Sequence, residues 1–301
     1  MTIAALRTPE DRFLDLPDWP YAPHYLDDLD GFVGLRAAFV DEGPRDARHT
    51  FLCLHGEPSW SYLYRRMIPP FLASGARVVA PDLFGFGRSD KPMDDAVYTT
   101  DFHRRFLLRF IERLDLQRVT LVIQDWGGLL GLTLPMDIPD RIERLLVMNT
   151  TLAIGVDPSP GFVAWRAYAA KNPDMPVGAL IARGTPHLRE AEIAAYDAPF
   201  PDVRFKAGVR RFPQLVPTSP DDPFAVLSRA ARDWWSTSWR GPTFAAVGMA
   251  DPVLGPGVMA DLRAHIHGAP APLEIEGGGH FVQEWGERIA AAALAAFGDA
   301  P

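Results

Sequence analysis

Val119 to Gly131 reads VTLVIQDWGGLLG, and the fold turns on how this stretch is read. An apolar, β-branched run stops at Gln124-Asp125-Trp126, and Gly127-Gly128 then opens a second apolar run whose spacing suits a helix. The reading is strand, sharp turn, helix. A turn of this kind lifts one side chain above the end of a sheet, and small residues just after it let the helix pack closely on the strand. The lifted side chain is Asp125. The same residue also reads as a helix N-cap, a role for which aspartate is favoured.

Working outward, Phe32–Val40 and Thr50–Leu54 read as strands separated by the turn-rich Asp41-Glu42-Gly43-Pro44. The second strand runs into His55-Gly56-Glu57-Pro58-Ser59-Trp60. A helical segment is expected to about Ser74, then a strand over Ala76–Ala80, and an amphipathic helix over Thr100–Leu114 with Phe102, Phe106, Phe110 and Leu114 on one stripe. The helix after Asp125 is expected to reach about Pro139, and Leu145–Asn149 reads as the next strand. From Thr151 to Asp222 the rhythm breaks, with ten prolines between 158 and 220 and no strand pattern. Short helices such as Gly161–Lys171 and Leu188–Tyr196 fit between those prolines. Alternation resumes with a helix from Phe224 to about Ser236, strands at Thr243–Gly248 and Leu273–Ile275, and a C-terminal helix. Strands alternating with helices imply a parallel, doubly wound sheet with its site at the strands' carboxyl ends. Residues 1–150 and 223–301 are expected to form that domain, and 151–222 a helical cap inserted into it.

At 301 residues and 48% hydrophobic, the chain can bury a large core. Its N-terminus shows no signal-peptide pattern, and its longest apolar run, Ile289–Phe297, is well short of the ~20 residues that span a bilayer. A cytoplasmic protein is expected, with no membrane partner. The lone Cys53 fits a reducing compartment and reads as core packing. A net charge of −8 without any Lys/Arg block argues against nucleic acid. His265 and His267 have no carboxylate or cysteine pattern around them, so no metal is expected.

Asp125, Asp251 and His280 each fall just after a predicted strand, in the order nucleophile, acid, base found in α/β-hydrolases. A carboxylate, with an ordinary pKa of ~3.9, is ionised at neutral pH and attacks without a base. On saturated carbon it displaces a leaving group and forms an alkyl ester. His280 can then take a proton from water, with Asp251 orienting the ring. The backbone N–H groups of Glu57 and Trp126 are the natural donors to the oxyanion of ester hydrolysis. Asp251 also reads as a turn residue before Pro252, and His280 as a loop histidine after three glycines.

At these residues the sequence resembles the haloalkane dehalogenases. The pattern HGEPSWSYLYR, PDLFGFGRSDKP, VIQDWGG, GMADPVLGP and GGGHFVQE, with GFVAW and AGVRRFP between them, looks like the subfamily typified by the 1,2-dichloroethane-degrading enzyme. The resemblance implies an α/β-hydrolase fold with a mostly parallel eight-stranded sheet and a cap. It implies a cofactor-free hydrolase that converts a small haloalkane and water to an alcohol, halide and a proton; a monomer is expected. Asp125 would be the nucleophile, His280 the base and Asp251 its partner, while Trp126 and Trp165 would hold the halide through indole N–H groups. Phe162, Phe212, Pro213, Val216, Leu129 and Leu254 match positions that line the substrate pocket. Two features depart from related forms: Glu57 stands where other subfamilies have asparagine, and Asn149 where they carry their acid. The neighbouring alternative is an epoxide hydrolase, which shares the aspartate but has His-Asp-Trp at the turn and two cap tyrosines; Gln124 precedes Asp125 here, although Tyr168 and Tyr196 are present. A non-catalytic binding member of the fold would not need all three strand-end residues.

Overall fold

The computed structural model describes residues 3–156 and 158–300. Eight strands form one sheet: β1 (His24–Leu26), β2 (Ala37–Glu42), β3 (Thr50–Leu54), β4 (Arg77–Pro81), β5 (Val119–Gln124), β6 (Ile142–Met148), β7 (Thr243–Gly248) and β8 (Leu273–Ile275). Their order is β8-β7-β6-β5-β3-β4-β2-β1. Pairing is parallel from β8 across to β4, and antiparallel from β4 to β2 and from β2 to β1. The sheet is therefore mostly parallel and eight-stranded, as the sequence implied.

The helices are α1 (Ile68–Ala73), α2 (Thr100–Arg113), α3 (Asp125–Gly131), α4 (Pro160–Lys171), α5 (Val177–Arg183), α6 (Glu190–Asp197), α7 (Ala207–Leu215), α8 (Pro223–Thr237), α9 (Pro256–Ala264) and α10 (Gly286–Phe297). Each central strand is apolar on both faces, which a parallel sheet covered by helices on both sides requires. Leu52, Leu54, Leu121, Ile123, Leu145 and Val147 face one core, with the α2 stripe of Phe102, Phe106 and Phe110. Phe51, Cys53, Val122, Leu146 and Met148 alternate with them and face the other, with Phe71 of α1 and Ile289 of α10. Cys53 is free and buried, as core packing requires.

Departures from the expected elements have local causes. Phe32 lies outside β2 because Gly31 and Gly34 turn the chain at φ +82° and +93°, which sends the Phe32 ring against Phe84 and Phe102. β1 is a three-residue edge strand with no alternation to reveal it. The helix after Asp125 ends at Gly131 rather than Pro139, and the chain continues as short 3-10 turns over Leu134–Met136 and Pro139–Arg141. Pro135 has no N–H with which to prolong the α-helical ladder.

From 151 to 222 the described residues contain helices α4–α7, one 3-10 turn and no strand. Pro213 sits inside α7, where the sequence suggested a boundary; near a helix C-terminus its missing N–H removes one bond only. A buried ion network ties this segment to the sheet domain. Arg65 meets Glu192 of α6 at 3.0 Å and Glu284 at 2.6 Å, and the Tyr196 hydroxyl donates to Glu284. No helix among the described residues is long and apolar enough to cross a membrane.

Candidate active site

The carboxyl ends of β3, β5, β6, β7 and β8 converge on one point. β5 ends at Gln124, and Asp125 follows with φ +49°, a left-handed conformation that few non-glycine residues adopt. That strain turns the chain sharply into α3, which approaches β3 so closely that a Cβ on Gly127 would lie 1.9 Å from the Leu54 carbonyl oxygen. The Asp125 carboxylate does not cap its own helix: its Oδ1 accepts from the Glu57 backbone N–H at 2.8 Å, across from the loop after β3. The N-cap alternative is thereby set aside. The Asp125 backbone is pinned in turn by its N–H to the Asn149 carbonyl at 3.0 Å and by the Thr150 hydroxyl donating to its own carbonyl at 2.7 Å.

The loop carrying Glu57 is held by His55. Its Nδ1 lies 2.9 Å from the Gly56 carbonyl and its Nε2 accepts from the Leu83 N–H at 3.0 Å. An acceptor at Nε2 requires the neutral ring, and burial pushes His55 the same way, below its ordinary range.

His280 follows β8 and faces two carboxylates. Nδ1 is 2.9 Å from Asp251 Oδ2, and Nε2 is 3.4 Å from Asp125 Oδ2. Burial opposes a charge on this ring, but the Asp251 and Asp125 carboxylates outweigh it and push His280 well above the usual histidine range. Asp251 is buried too, yet His280, the Val253 N–H and the Asn149 amide bring its carboxyl down to about 2. Asn149 Nδ2 donates to Asp251 Oδ2 at 2.9 Å, and Asn149 Oδ1 accepts from the Gly248 N–H at 2.8 Å. The asparagine after β6 therefore orients the acid that follows β7.

A cavity of about 330 Å³ opens over these groups. Asp125, His280, Glu57, Trp126 and Trp165 line it, with an apolar wall that includes Leu129, Phe162, Val216 and Leu254. Four of the six residues expected to line the pocket do so. Phe212 and Pro213 are absent from the lining and need correction. Phe212 is buried behind Trp126, edge-on to its ring at 4.9 Å, and also meets Phe86 and His103, so it buttresses the wall and does not form it. Pro213, beside it in α7, is buried as well. The segment Thr151–Val156, which sequence reading passed over, supplies one side of the cavity. It has neither periodicity nor motif to mark it.

Among the described residues the Trp126 indole N–H has no protein acceptor, whereas those of Trp60, Trp235 and Trp239 each bond to an oxygen. Trp165 stacks on Tyr168 in α4 and faces the same cavity. Only the Glu57 N–H is bonded to the Asp125 carboxylate; the Trp126 backbone N–H, in the first turn of α3, makes no such bond among the described residues.

The Glu57 side chain also bears on the site. It is 4% exposed and its Oε1 has no hydrogen-bond partner among the described residues. Burial, reinforced by the Asp125 charge, raises its carboxyl well above the usual range. A second, buried carboxyl group whose surroundings favour its neutral form thus sits beside the first. Tyr168 and Tyr196, the tyrosines an epoxide hydrolase would need, do not line the cavity, and the Tyr196 hydroxyl is committed to Glu284.

Comparison with known proteins shows the family. The model of the alpha/beta hydrolase fold family matches residues 49–287. A haloalkane dehalogenase of Psychrobacter cryohalolentis is 46% identical over 95% of each chain, and haloalkane dehalogenase 1 of Mycobacterium tuberculosis is 50% identical over 93% of each. A solved haloalkane dehalogenase of Paraglaciecola agarilytica, described as tetrameric, is 52% identical and superposes with a TM-score of 0.96 over 97% of this chain and 98% of that one. A haloalkane dehalogenase structure from Agrobacterium tumefaciens, 25% identical over 96% and 98% of the two chains, gives a TM-score of 0.73. With this fold, this site and these relatives, the chain belongs to the haloalkane dehalogenases, hydrolases of the α/β-hydrolase fold.

Proposed function

We propose that this enzyme hydrolyses the carbon–halogen bond in two steps, with Asp125 as nucleophile. In the first, Asp125 Oδ2 attacks the halogen-bearing carbon, the carbon–oxygen bond forms and halide leaves with the bonding electrons. In the second, water attacks the ester carbon at Asp125 while His280 Nε2 takes its proton. The alkyl–oxygen group departs as alcohol and the carboxylate returns. Asp251 holds the Nδ1 proton and stabilises the imidazolium. The Glu57 N–H is the donor already in place for the oxyanion, and the Trp126 N–H at the head of α3 is its partner. The observation that carries this reading is the spacing of His280, within 3.4 Å of Asp125 on one ring nitrogen and 2.9 Å of Asp251 on the other.

The indole N–H groups of Trp126 and Trp165 form the halide site in this reading, as in the 1,2-dichloroethane type. An indole is a donor without competing lone-pair charge, and its attraction to an anion strengthens inside an apolar cavity. Trp126→Phe and Trp165→Phe should each weaken bromide binding ~10- to 100-fold, the range of one hydrogen bond to a charged group, when followed by quenching of tryptophan fluorescence. Affinity equal to wild type would remove that tryptophan from the site. Residues 151–222 act as a cap domain, with 1–150 and 223–301 as the hydrolase domain. A reducing, cytoplasmic setting rests on the single buried cysteine. Light scattering will distinguish the monomer expected for this chain from the tetramer of the Paraglaciecola agarilytica enzyme.

The reaction is tested by bromide release from 1,2-dibromoethane and 1-bromobutane without added metal or cofactor, with styrene oxide in parallel. Bromide release with the epoxide untouched supports the reading. Epoxide opening without bromide release overturns it.

A further inference from the structure

Gln124 is the last residue of β5, immediately before Asp125, and it is fully buried. Its side-chain amide lies against His280 in two places. The amide nitrogen is 3.0 Å from the His280 backbone carbonyl oxygen and 3.1 Å from His280 Nε2. A carbonyl oxygen only accepts, so the end of the amide that faces His280 is the NH2 group. One of its protons serves the carbonyl. The other is directed at the ring nitrogen that must receive a proton from water.

The far end is fixed as well. Gln283, three residues after His280, donates its Nε2–H to Gln124 Oε1 at 3.3 Å. Turning the Gln124 amide over would set its oxygen against the His280 carbonyl and its NH2 against that of Gln283. The clamp has a cost, because Gln283 Oε1 is buried and without a partner among the described residues. A glutamine pair serving only to fill the core would not be expected to leave that acceptor bare.

We propose that Gln124, locked in orientation by Gln283, is a positioning residue that stabilises the neutral, proton-accepting form of His280. The proposal rests on His280 being the base of the second step. Nδ1–H is held by Asp251, so Nε2 of the neutral ring is an acceptor and the Gln124 N–H satisfies it. Once Nε2 gains a proton, two N–H groups point at each other and the bond is lost. The groups facing the ring otherwise favour its charge: Asp251 at Nδ1 and Asp125 at Nε2, with Glu57 in the same cavity pushed by burial toward its neutral form. Gln124 is the counterweight that lets His280 start the second step unprotonated and shed its proton afterwards.

The test is the titration of His280 by NMR in protein with labelled histidine, its signal identified by its loss in His280→Gln. Gln124→Met and Gln283→Met keep side-chain length and remove one amide each. We expect the His280 pKa to rise by roughly one unit in Gln124→Met, the value of a single hydrogen bond made only to the neutral ring, and by less in Gln283→Met. The acid limb of kcat should move to higher pH by the same shifts, with kcat recovering at alkaline pH. A His280 titration and acid limb unmoved in both variants would overturn the proposal. Should Gln124→Met fail to fold, Gln283→Met decides alone, since it leaves every residue of the cavity in place. Failure of the base assignment reads differently: His280→Gln would then turn over substrate without accumulating an alkyl-enzyme, which would remove the ground of the inference whatever the ring's titration.

Discussion

Gly56→Ala isolates the placement of the proposed nucleophile, Asp125. Gly56 precedes Glu57, the proposed oxyanion donor, and a Cβ built on it would lie 2.4 Å from Asp125 Oδ1 and 2.5 Å from Asp125 Cβ. Its φ is not left-handed, so alanine brings no backbone penalty and the effect is purely one of space. Unstrained carbon–carbon contacts begin at about 3.5 Å, so the Asp125 side chain or the loop must withdraw by about 1 Å. Asp125 cannot simply rotate away, because its left-handed backbone is fixed by Asn149 and Thr150. A misplacement near 1 Å costs ~10²-fold in rate, or ~2.7 kcal/mol of barrier, while local overpacking costs about 1–3 kcal/mol of stability. Bromide release and thermal unfolding of the same preparation separate the two effects. We expect a cooperative, somewhat lower melting transition and kcat/KM reduced ~10²-fold. Turnover within about threefold of wild type, with the fold intact, would show that Asp125 does not react from this position.

Glu57→Gln tests the protonated carboxyl. A carboxyl raised above its ordinary 4.5 keeps its proton in the folded chain but loses it on unfolding, so it contributes most below pH 4.5 and its contribution falls as pH rises, by up to about 1.4 kcal/mol per unit. The amide has no proton to lose, so the variant should gain Tm relative to wild type from pH 5 to pH 8; a difference that does not vary with pH would contradict the raised carboxyl. Arg65→Met should strip Glu284 of the buried guanidinium that meets both its oxygens, leaving Arg66 at 3.1 Å from Glu284 and 2.7 Å from Glu192, and cost up to ~3–5 kcal/mol, read by denaturant unfolding. A loss below about 1 kcal/mol would mean that Arg66 alone satisfies both acids.

The central architecture is legible in the sequence because its cause is local. VTLVIQDWGGLLG announces strand, turn and helix through β-branching, an abrupt polar stop and two glycines, and the structure puts Asp125 at that turn, where its φ is positive. Asp251 and His280 are legible for the same reason, each standing just past a short apolar strand. What the sequence does not display depends on side chains meeting across the fold. Phe212 looks like pocket lining by resemblance, but its ring is used up on Trp126, Phe86 and His103. Gln124 served to separate this turn from the His-Asp-Trp form; its contact with His280 comes from a loop more than 150 residues away. Glu57 drew attention for its backbone N–H, and its buried carboxyl emerges only once the cavity closes around it. α7 escaped notice because Pro213 reads as a breaker, yet one missing N–H near a helix end is tolerated.

In the proposed reaction a covalent ester forms on Asp125 and His280 is needed to cleave it. Purified His280→Gln, exposed to 1-bromobutane and examined by intact mass and then by peptide mapping, tests it directly. One added butyl group per chain is expected, located on the peptide containing Asp125 and accompanied by a single burst of bromide. No adduct despite bound substrate, or an adduct on any other residue, would contradict it.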